Sequence, residues 1–291
     1  MRRTSWQPFA LSAGLALVAV VAVVVVLSLA QKQRTAPQRC PPGLELGATR
    51  CCGEGQREVA GHCEGTPQRC AVNMTVTKDG CVAQSRRVAI PAGRFELSVA
   101  DWEPNMSTGR RVVDLPAFLF DSHEVSVAAY ARCVAAGACA AIDATNTEPG
   151  VPVRGASAEH ASKYCAWAGG RVPTVDEWLA AAMGSDARRF PWGPTGLVCR
   201  RASFGLVAGP CAVGGSGPEL TGARPDGATP DGVVDLAGNV AEWARTSTGG
   251  FVALGGSFAS RLAAELKPAA RPVEAPPLDH MGFRCAYSSA R

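Results

Sequence analysis

LGGSFASRLAAELKPAARPVEAPPLDHMGFRCA, Leu254 to Ala286, opens on a Gly255-Gly256 turn and closes on Gly282-Phe283-Arg284-Cys285. Between the two ends it carries Ser260 and Glu265 and no cysteine before Cys285. From Gly184 onward the whole chain is rich in Gly, Pro and Asp, which break helices and keep strands short. This pattern predicts an α+β fold with long irregular loops and short strands rather than a βαβ array.

Upstream of this region three helices are legible. Ser126 to Ala136 carries Tyr130, Cys133 and Val134 at helical spacing and ends near Gly137, a C-cap residue. Ser157 to Ala168 begins at an N-cap serine with His160, rather than the usual Glu, at the third helical position. Thr174 with Glu177 forms a capping box ahead of Trp178 and Leu179. Val88 to Phe95 reads as an opening strand and turn, and Leu115 to Val127 as a strand running into the first helix.

The net charge of +4 is unevenly placed. Arg2, Arg3, Lys32, Arg34 and Arg39 have no acid among them, so the chain beyond Arg39 is nearly neutral and offers no nucleic-acid face. Phe9 to Ala30 is uncharged and dominated by Val, Ala and Leu; as a helix at about 1.5 Å per residue it would span a hydrocarbon core of about 30 Å. It is expected to be a retained single-pass membrane anchor. The rival is a cleaved signal peptide, which the small residues at Ser28-Leu29-Ala30 suit but whose apolar core is usually only about 7–15 residues. Expected boundaries are a cytoplasmic N-terminus at 1–8, the anchor at 9–30, a linker at 31–39, a Cys-rich module at 40–85 and the large domain at 86–291.

Twelve cysteines divide six and six between Cys40–Cys81 and Cys133–Cys285. That density is sustained as disulfides in an oxidising compartment, which places the body outside the cytoplasm. Cys40 to Cys51, Cys52 to Cys63 and Cys70 to Cys81 enclose equal lengths and read as three short two-stranded loops of a stalk, because so small a segment has little core of its own. Six cysteines allow about fifteen pairings, and spacing alone does not choose among them. Zinc is disfavoured because the C-x2-C pairs of a zinc ribbon are absent.

Five further groups of residues accompany the opening stretch in a fixed order. They are Asp121, Glu124, Val125 and Tyr130; Tyr164, Cys165, Trp167, Ala168, Gly169 and Arg171; Pro173, Thr174, Glu177 and Trp178; Pro191, Trp192 and Gly193; and Asp235, Gly238, Asn239, Glu242 and Trp243. With Gly255 to Phe258, Ala269 to Arg271 and Gly282 to Cys285, they make Val88 to Arg291 resemble the formylglycine-generating enzymes, or sulfatase-modifying factors. The resemblance implies a loop-rich variant of the C-type-lectin fold.

It also implies roles for particular residues. Asp235, Gly238, Val240 and Glu242 correspond to a calcium site, whose hard oxygen donors suit that ion; a simple Asx-stabilised turn is the plainer reading. Cys165 and Cys285 correspond to a structural disulfide, and Cys133 with Cys139 and Cys199 with Cys211 are expected as local bridges. In active members a cysteine pair binds copper and oxidises a cysteine of an unfolded sulfatase segment. Ser260 and Glu265 stand at those two positions, and their hard oxygens do not suit soft Cu(I), so no copper is expected. The usual aromatic before Glu242 is also absent, being Ala241.

The expectation is a non-catalytic domain whose groove, around Ser257, Ser260, Glu265 and Arg271, binds a peptide, a glycan or an envelope protein. An oxidase or other enzyme with a remodelled site is the alternative, and Ser260 lacks the nearby base that a serine nucleophile needs. His62, His123, His160 and His280 show no metal-binding spacing and are expected at the surface or at caps. Trp167, Trp178, Trp192 and Trp243 are expected in the core. Arg188 and Arg189, like Arg110 and Arg111, are expected in solvent.

Overall fold

The computed structural model describes residues 40–97, 111–142, 148–196, 199–206, 211, 217–270 and 278–289. The expectations for residues 1–39, including the anchor, and for Arg110 and Arg271 lie outside the described residues. Among those described, no helix is long and apolar enough to cross a membrane.

Strands run from β1 Leu44–Leu46, β2 Cys51–Gly53, β3 Arg57–Val59, β4 His62–Glu64, β5 Met74–Thr77 and β6 Gly80–Ala83 to β7 Arg87–Ile90, β8 Gly93–Glu96, β9 Val112–Leu115 and β10 Phe118–Asp121. Helices α1 Val127–Ala135, α2 Ala158–Trp167 and α3 Val175–Met183 follow, and then β11 Ala241–Arg245, β12 Phe251–Leu254, β13 Met281–Gly282 and β14 Ala286–Ser288.

β1–β2, β3–β4 and β5–β6 are antiparallel hairpins, bridged by Cys40–Cys51, Cys52–Cys63 and Cys70–Cys81. The β3–β4 loop is only Ala60-Gly61, with φ of 50° and 82°, the left-handed pair that lets a two-residue turn follow the twist of its strands. Each pairing is the local one among the many that spacing allowed. The hairpins form no separate stalk. Leu44, Cys51, Ala71 and Cys81 pack against Val151, Leu220 and Ala223 of the large domain, and Arg39–Arg291 is one compact unit.

In the large domain, β10 lies between β7 and β14, antiparallel to both. A second three-stranded sheet has β11 in the middle, antiparallel to β12 and parallel to β13. Phe118 and Phe120 point to one side of β10 and join Trp178, Leu179, Met183 and Leu236 in the main core. Tyr130, Tyr164 and Phe283 form a second core around Cys165 and Cys285. The Tyr164 and Phe283 rings lie 5.4 Å apart in an edge-to-face contact.

The caps are as the sequence predicts. Ser157 accepts from the His160 amide at 3.2 Å, and the His160 ring serves as the returning acceptor for the Ser157 amide, the part Glu plays in the ideal box. Thr174 and Glu177 cap α3, and Arg171 holds the same Glu177 through two bonds of 2.5 and 2.6 Å. The guanidinium and these amides keep the Glu177 carboxyl below the usual carboxylate range although burial pushes it up.

Three placements differ from expectation. Trp167 is 41 % exposed, because it falls at the last turn of α2 on its outward side. His123 is buried, since it precedes Glu124 in a segment held by two tertiary backbone bonds, Ser122 to Arg86 and Val125 to Phe283. Arg188 is buried as well; its Nη2 donates to the Ala181 and Ala182 carbonyls at 3.4 Å, satisfying the end of α3.

Candidate functional site

Ser257, Ser260 and Glu265, expected in a groove, follow β12 among the described residues. Gly255 and Gly256 both have positive φ, 87° and 68°, which a Cβ would strain. At Gly256 a Cβ would stand 3.0 Å from both Ser260 Oγ and the Glu265 carbonyl, and 2.5 Å from Leu266. Gly256 is thus where the Ser260 and Glu265 segments meet.

Their side chains are engaged locally. Ser260 Oγ accepts from the Ser257 amide at 3.1 Å, and Ser257 Oγ accepts from the Ala259 amide at 3.3 Å. Glu265 Oε1 accepts from the Leu262 amide at 3.3 Å at the start of a short 3-10 turn. Phe258 is buried, with the His280 ring 4.9 Å away edge-on and the Arg154 guanidinium 5.9 Å from its centroid.

All twelve cysteines are in disulfides, including Cys133–Cys139, Cys165–Cys285 and Cys199–Cys211. No thiol is left to act as a ligand or nucleophile. Ser260 and Glu265 supply oxygen groups, which can accept hydrogen bonds, and the hydroxyl can donate one, but neither can cycle electrons.

Beside this segment, linked to it by the Gly238 amide donating to the Gly255 carbonyl, lies a buried carboxylate cluster that sequence reasoning recognised only in part. The turn at Asp235, Gly238 and Asn239 has φ of 61°, 89° and 59°. A Cβ on Gly238 would approach the Ser203 carbonyl to 2.2 Å, which requires glycine there. Asp235 Oδ2 accepts from the Gly222 amide at 2.6 Å, while Asn239 accepts from the Glu219 amide at 2.9 Å and donates to Glu124 Oε2 at 3.4 Å.

Glu242, on β11, faces another way. Its Oε2 accepts from the Trp178 indole at 2.7 Å and from Arg284 Nε at 2.8 Å, and its Oε1 accepts from Arg284 Nη2 at 2.6 Å. The Arg284 and Glu242 side chains are 0 % and 1 % exposed, so this is a fully desolvated ion pair. Arg284 also donates to the carbonyls of Asp121 and Val234, at 3.2 and 2.9 Å.

Glu124 is 0 % exposed; among the described residues no N–H donor reaches its Oε1, and its carboxyl is hydrogen-bonded to that of Asp235. Burial, and then the negative charge of Asp235, push its carboxyl well above the usual range. Burial likewise raises Asp235 to about 6. Two buried carboxyls side by side need either a proton or a cation between them. Glu219 differs: burial raises it, but Arg224 at 2.7 Å, with Ser203, holds it below the normal value.

Glu124 and Asp235, two buried carboxyls hydrogen-bonded to each other, are hard oxygen donors of the kind calcium takes. Among the described residues no three His, Cys, Asp or Glu side chains converge on one metal position. A cation here would therefore draw on at most two of them.

Sequence reasoning had Glu124 and Arg284 only as matching letters, with no role attached. Glu219 and Arg224 carried no signal at all, since their pairing depends on how irregular loops cross.

Loop-rich architecture, mixed short strands and helices, and a Gly-Gly turn leading to a GFRC segment define a formylglycine-generating-enzyme-like domain. The chain matches the sulfatase-modifying factor enzyme 1-like domain over residues 73–289 and belongs to that family.

A formylglycine-generating enzyme of Thermomonospora curvata is 38 % identical over 100 residues, 33 % of each protein. A hercynine oxygenase of Mycolicibacterium thermoresistibile is 35 % identical over 99 residues, 33 % of this chain and 21 % of that protein. An inactive C-alpha-formylglycine-generating enzyme 2 of Mus musculus is 31 % identical over 160 residues, 48 % of this chain and 50 % of that protein. The chain thus aligns with half or less of these relatives. Among solved structures, PvdO from Pseudomonas aeruginosa superposes with a TM-score of 0.57 at 21 % identity, covering 73 % of this chain and 96 % of PvdO, and so shares the fold. The Treponema denticola variable protein 1 does so at 0.53 and 19 % identity, covering 70 % and 95 %.

Proposed function

We propose that this chain is a membrane-anchored, extracytoplasmic member of the family that binds a peptide, glycan or envelope partner without oxidising it. The fold is read as the family's variant of the C-type-lectin architecture, and Phe9 to Ala30 as its anchor. The observation that carries the proposal is chemical: Ser260 and Glu265 stand where the resemblance puts the two thiolates, and every cysteine is bridged. Oxygen ligands of this kind do not stabilise Cu(I). A relative named as inactive lends support, since this family includes members without the activity.

The reading includes calcium as a structural ion at the Asp235–Val240 turn. When bound it would supply positive charge to buried carboxylates and fix the turn that carries β11. The chain's own part is to hold oxygens in place and exclude water.

The test of the binding reading is incubation of the purified full chain with Cu(I), oxygen and a Cys-x-Pro-x-Arg peptide, followed by mass spectrometry. No aldehyde is expected. Multiple-turnover conversion would replace this reading with that of an oxidase working through a remodelled site.

A further inference from the structure

We propose that the seam between the disulfide hairpins and the large domain holds a second ligand site, for a small apolar acid that carries an N–H or O–H donor, with His123 Nε2 accepting from that donor and Arg86 binding the carboxylate. The site shares no residue with Ser260 and Glu265 and depends on neither the groove nor the calcium reading.

A cavity of about 250 Å³ opens where the hairpins meet the large domain. Pro41 and Met74 wall it from the hairpins, and Pro225 and Val234 from the large domain, so its sides are apolar. Apolar cavities with a few convergent polar groups, set where two bodies meet, are where ligands are held. The volume falls below the roughly 300–1,000 Å³ of drug-sized sites, so the occupant is small.

The two polar groups have different parts. His123 lines the cavity although it is only 6 % exposed. Its Nδ1 stands 2.8 Å from the Glu124 carbonyl, which can only accept, so Nδ1 carries the proton of the neutral ring and Nε2 is left as an acceptor. The other main-chain group bonded to the ring is the Gln84 carbonyl, an acceptor as well, and among the described residues no donor reaches Nε2. Burial, with the charges of Arg284 and Arg86 nearby, holds the ring below the ordinary histidine range and so in its neutral form. A buried acceptor without a donor is costly, and a ligand N–H or O–H removes that cost.

Arg86 also lines the cavity, and its main chain is tied to the residue before His123: the Ser122 amide donates to the Arg86 carbonyl at 2.9 Å, and the Arg86 amide donates to Ser122 Oγ at 3.3 Å. The Arg86 side chain is exposed, pairs with no carboxylate among the described residues, and makes one long bond, to the Gly232 carbonyl at 3.5 Å. Most of its donors are therefore available to a carboxylate, which a guanidinium binds through paired bonds. A donor for His123, an apolar body and an anionic end for Arg86 together define the ligand class.

The experiment titrates the full chain with three probes, followed by saturation-transfer NMR. Indole-3-acetate has the apolar ring, the N–H and the carboxylate; 1-benzothiophene-3-acetate replaces the N–H by sulfur; 3-methylindole lacks the carboxylate. Indole-3-acetate is expected to bind at least tenfold more tightly than either analogue, because one leaves a buried acceptor unmet and the other leaves Arg86 without its anion. Arg86→Gln is expected to bring indole-3-acetate to the affinity of 3-methylindole and to leave 3-methylindole unchanged. Ala228→Leu, which fills the cavity from a half-buried lining position, is expected to abolish binding of all three. Equal affinity for the indole and benzothiophene acids, binding that survives Ala228→Leu, or no binding of any probe overturns the proposal. Should a variant not fold, wild-type crystals soaked in indole-3-acetate decide: the ring N–H is expected within about 3.2 Å of His123 Nε2, and water alone at that nitrogen refutes the site.

Discussion

Replacing Arg50 by Met tests whether the disulfide hairpins are part of the domain's folding unit. Arg50 lies in the turn between β1 and β2 and reaches out of the module to Glu148, with Nη1 2.7 Å from Oε2 and side-chain exposures of 7 % and 5 %. Its Nη2 also donates to the Pro218 carbonyl. Burial raises the Glu148 carboxyl, and Arg50 is the largest influence opposing that rise. Without the guanidinium the buried Glu148 carboxylate keeps the Cys63 amide but loses its main opposite charge, and breaking a buried pair costs about 3–5 kcal/mol. At about 2–4 °C per kcal/mol for a unit of this size, Tm should fall by roughly 6–20 °C. The sign of the pH dependence follows. A buried carboxyl with a raised folded value contributes stability that is full below its unfolded value and lost as pH rises through the folded one, so the variant's deficit should shrink in acid. Arg50→Met with Glu148→Gln should recover much of the loss, because the unpaired charge is gone. The assay is thermal and urea unfolding of the full chain with disulfides verified intact. A single variant that loses less than about 1 kcal/mol, the size of an exposed pair, would refute the reasoning.

Gly150→Ala should disturb the same seam, because the new Cβ would stand 1.8 Å from the Cys81 carbonyl; overpacking of about 1–3 kcal/mol is expected by urea unfolding, and a neutral result would mean the module moves freely aside. Removing Cys165–Cys285 in a double Ala variant releases a span of 120 residues and should cost about 5 kcal/mol on the loop-entropy model; unchanged Tm would show that the second core holds without it. Asp121 is pushed up to about 6, chiefly by burial and despite the Cys285 amide and Tyr287 hydroxyl it accepts. Its contribution is therefore complete below about pH 4 and lost as pH rises through 6, so wild type should gain on Asp121→Asn as pH falls across that window. A difference in unfolding free energy that is flat with pH would contradict this. Thiol labelling of the native chain without reductant should find no reactive cysteine, and labelling of several would contradict the bridges.

The sequence alone determined whatever depends on neighbours a few residues apart. The capping pairs Ser157–His160 and Thr174–Glu177 are read directly, because a cap is made within one helical turn. The identity of the groove residues is equally local: Ser260 and Glu265 are simply not thiols, and no folding changes that. The equal spans of the three hairpins suggested local bridges, but choosing them among all pairings took the strand registers. Tertiary structure decided what depends on chain crossings. Arg50 is buried only because Glu148 and Pro218, far along the chain, close over it. Asp235 and Glu242 share one motif, yet Arg284, just before the last strand, takes Glu242, while Asp235 shares a buried site with Glu124. Burial sets the charge state of such groups, and burial is a property of the packed loops, which periodicity in a Gly- and Pro-rich chain does not encode.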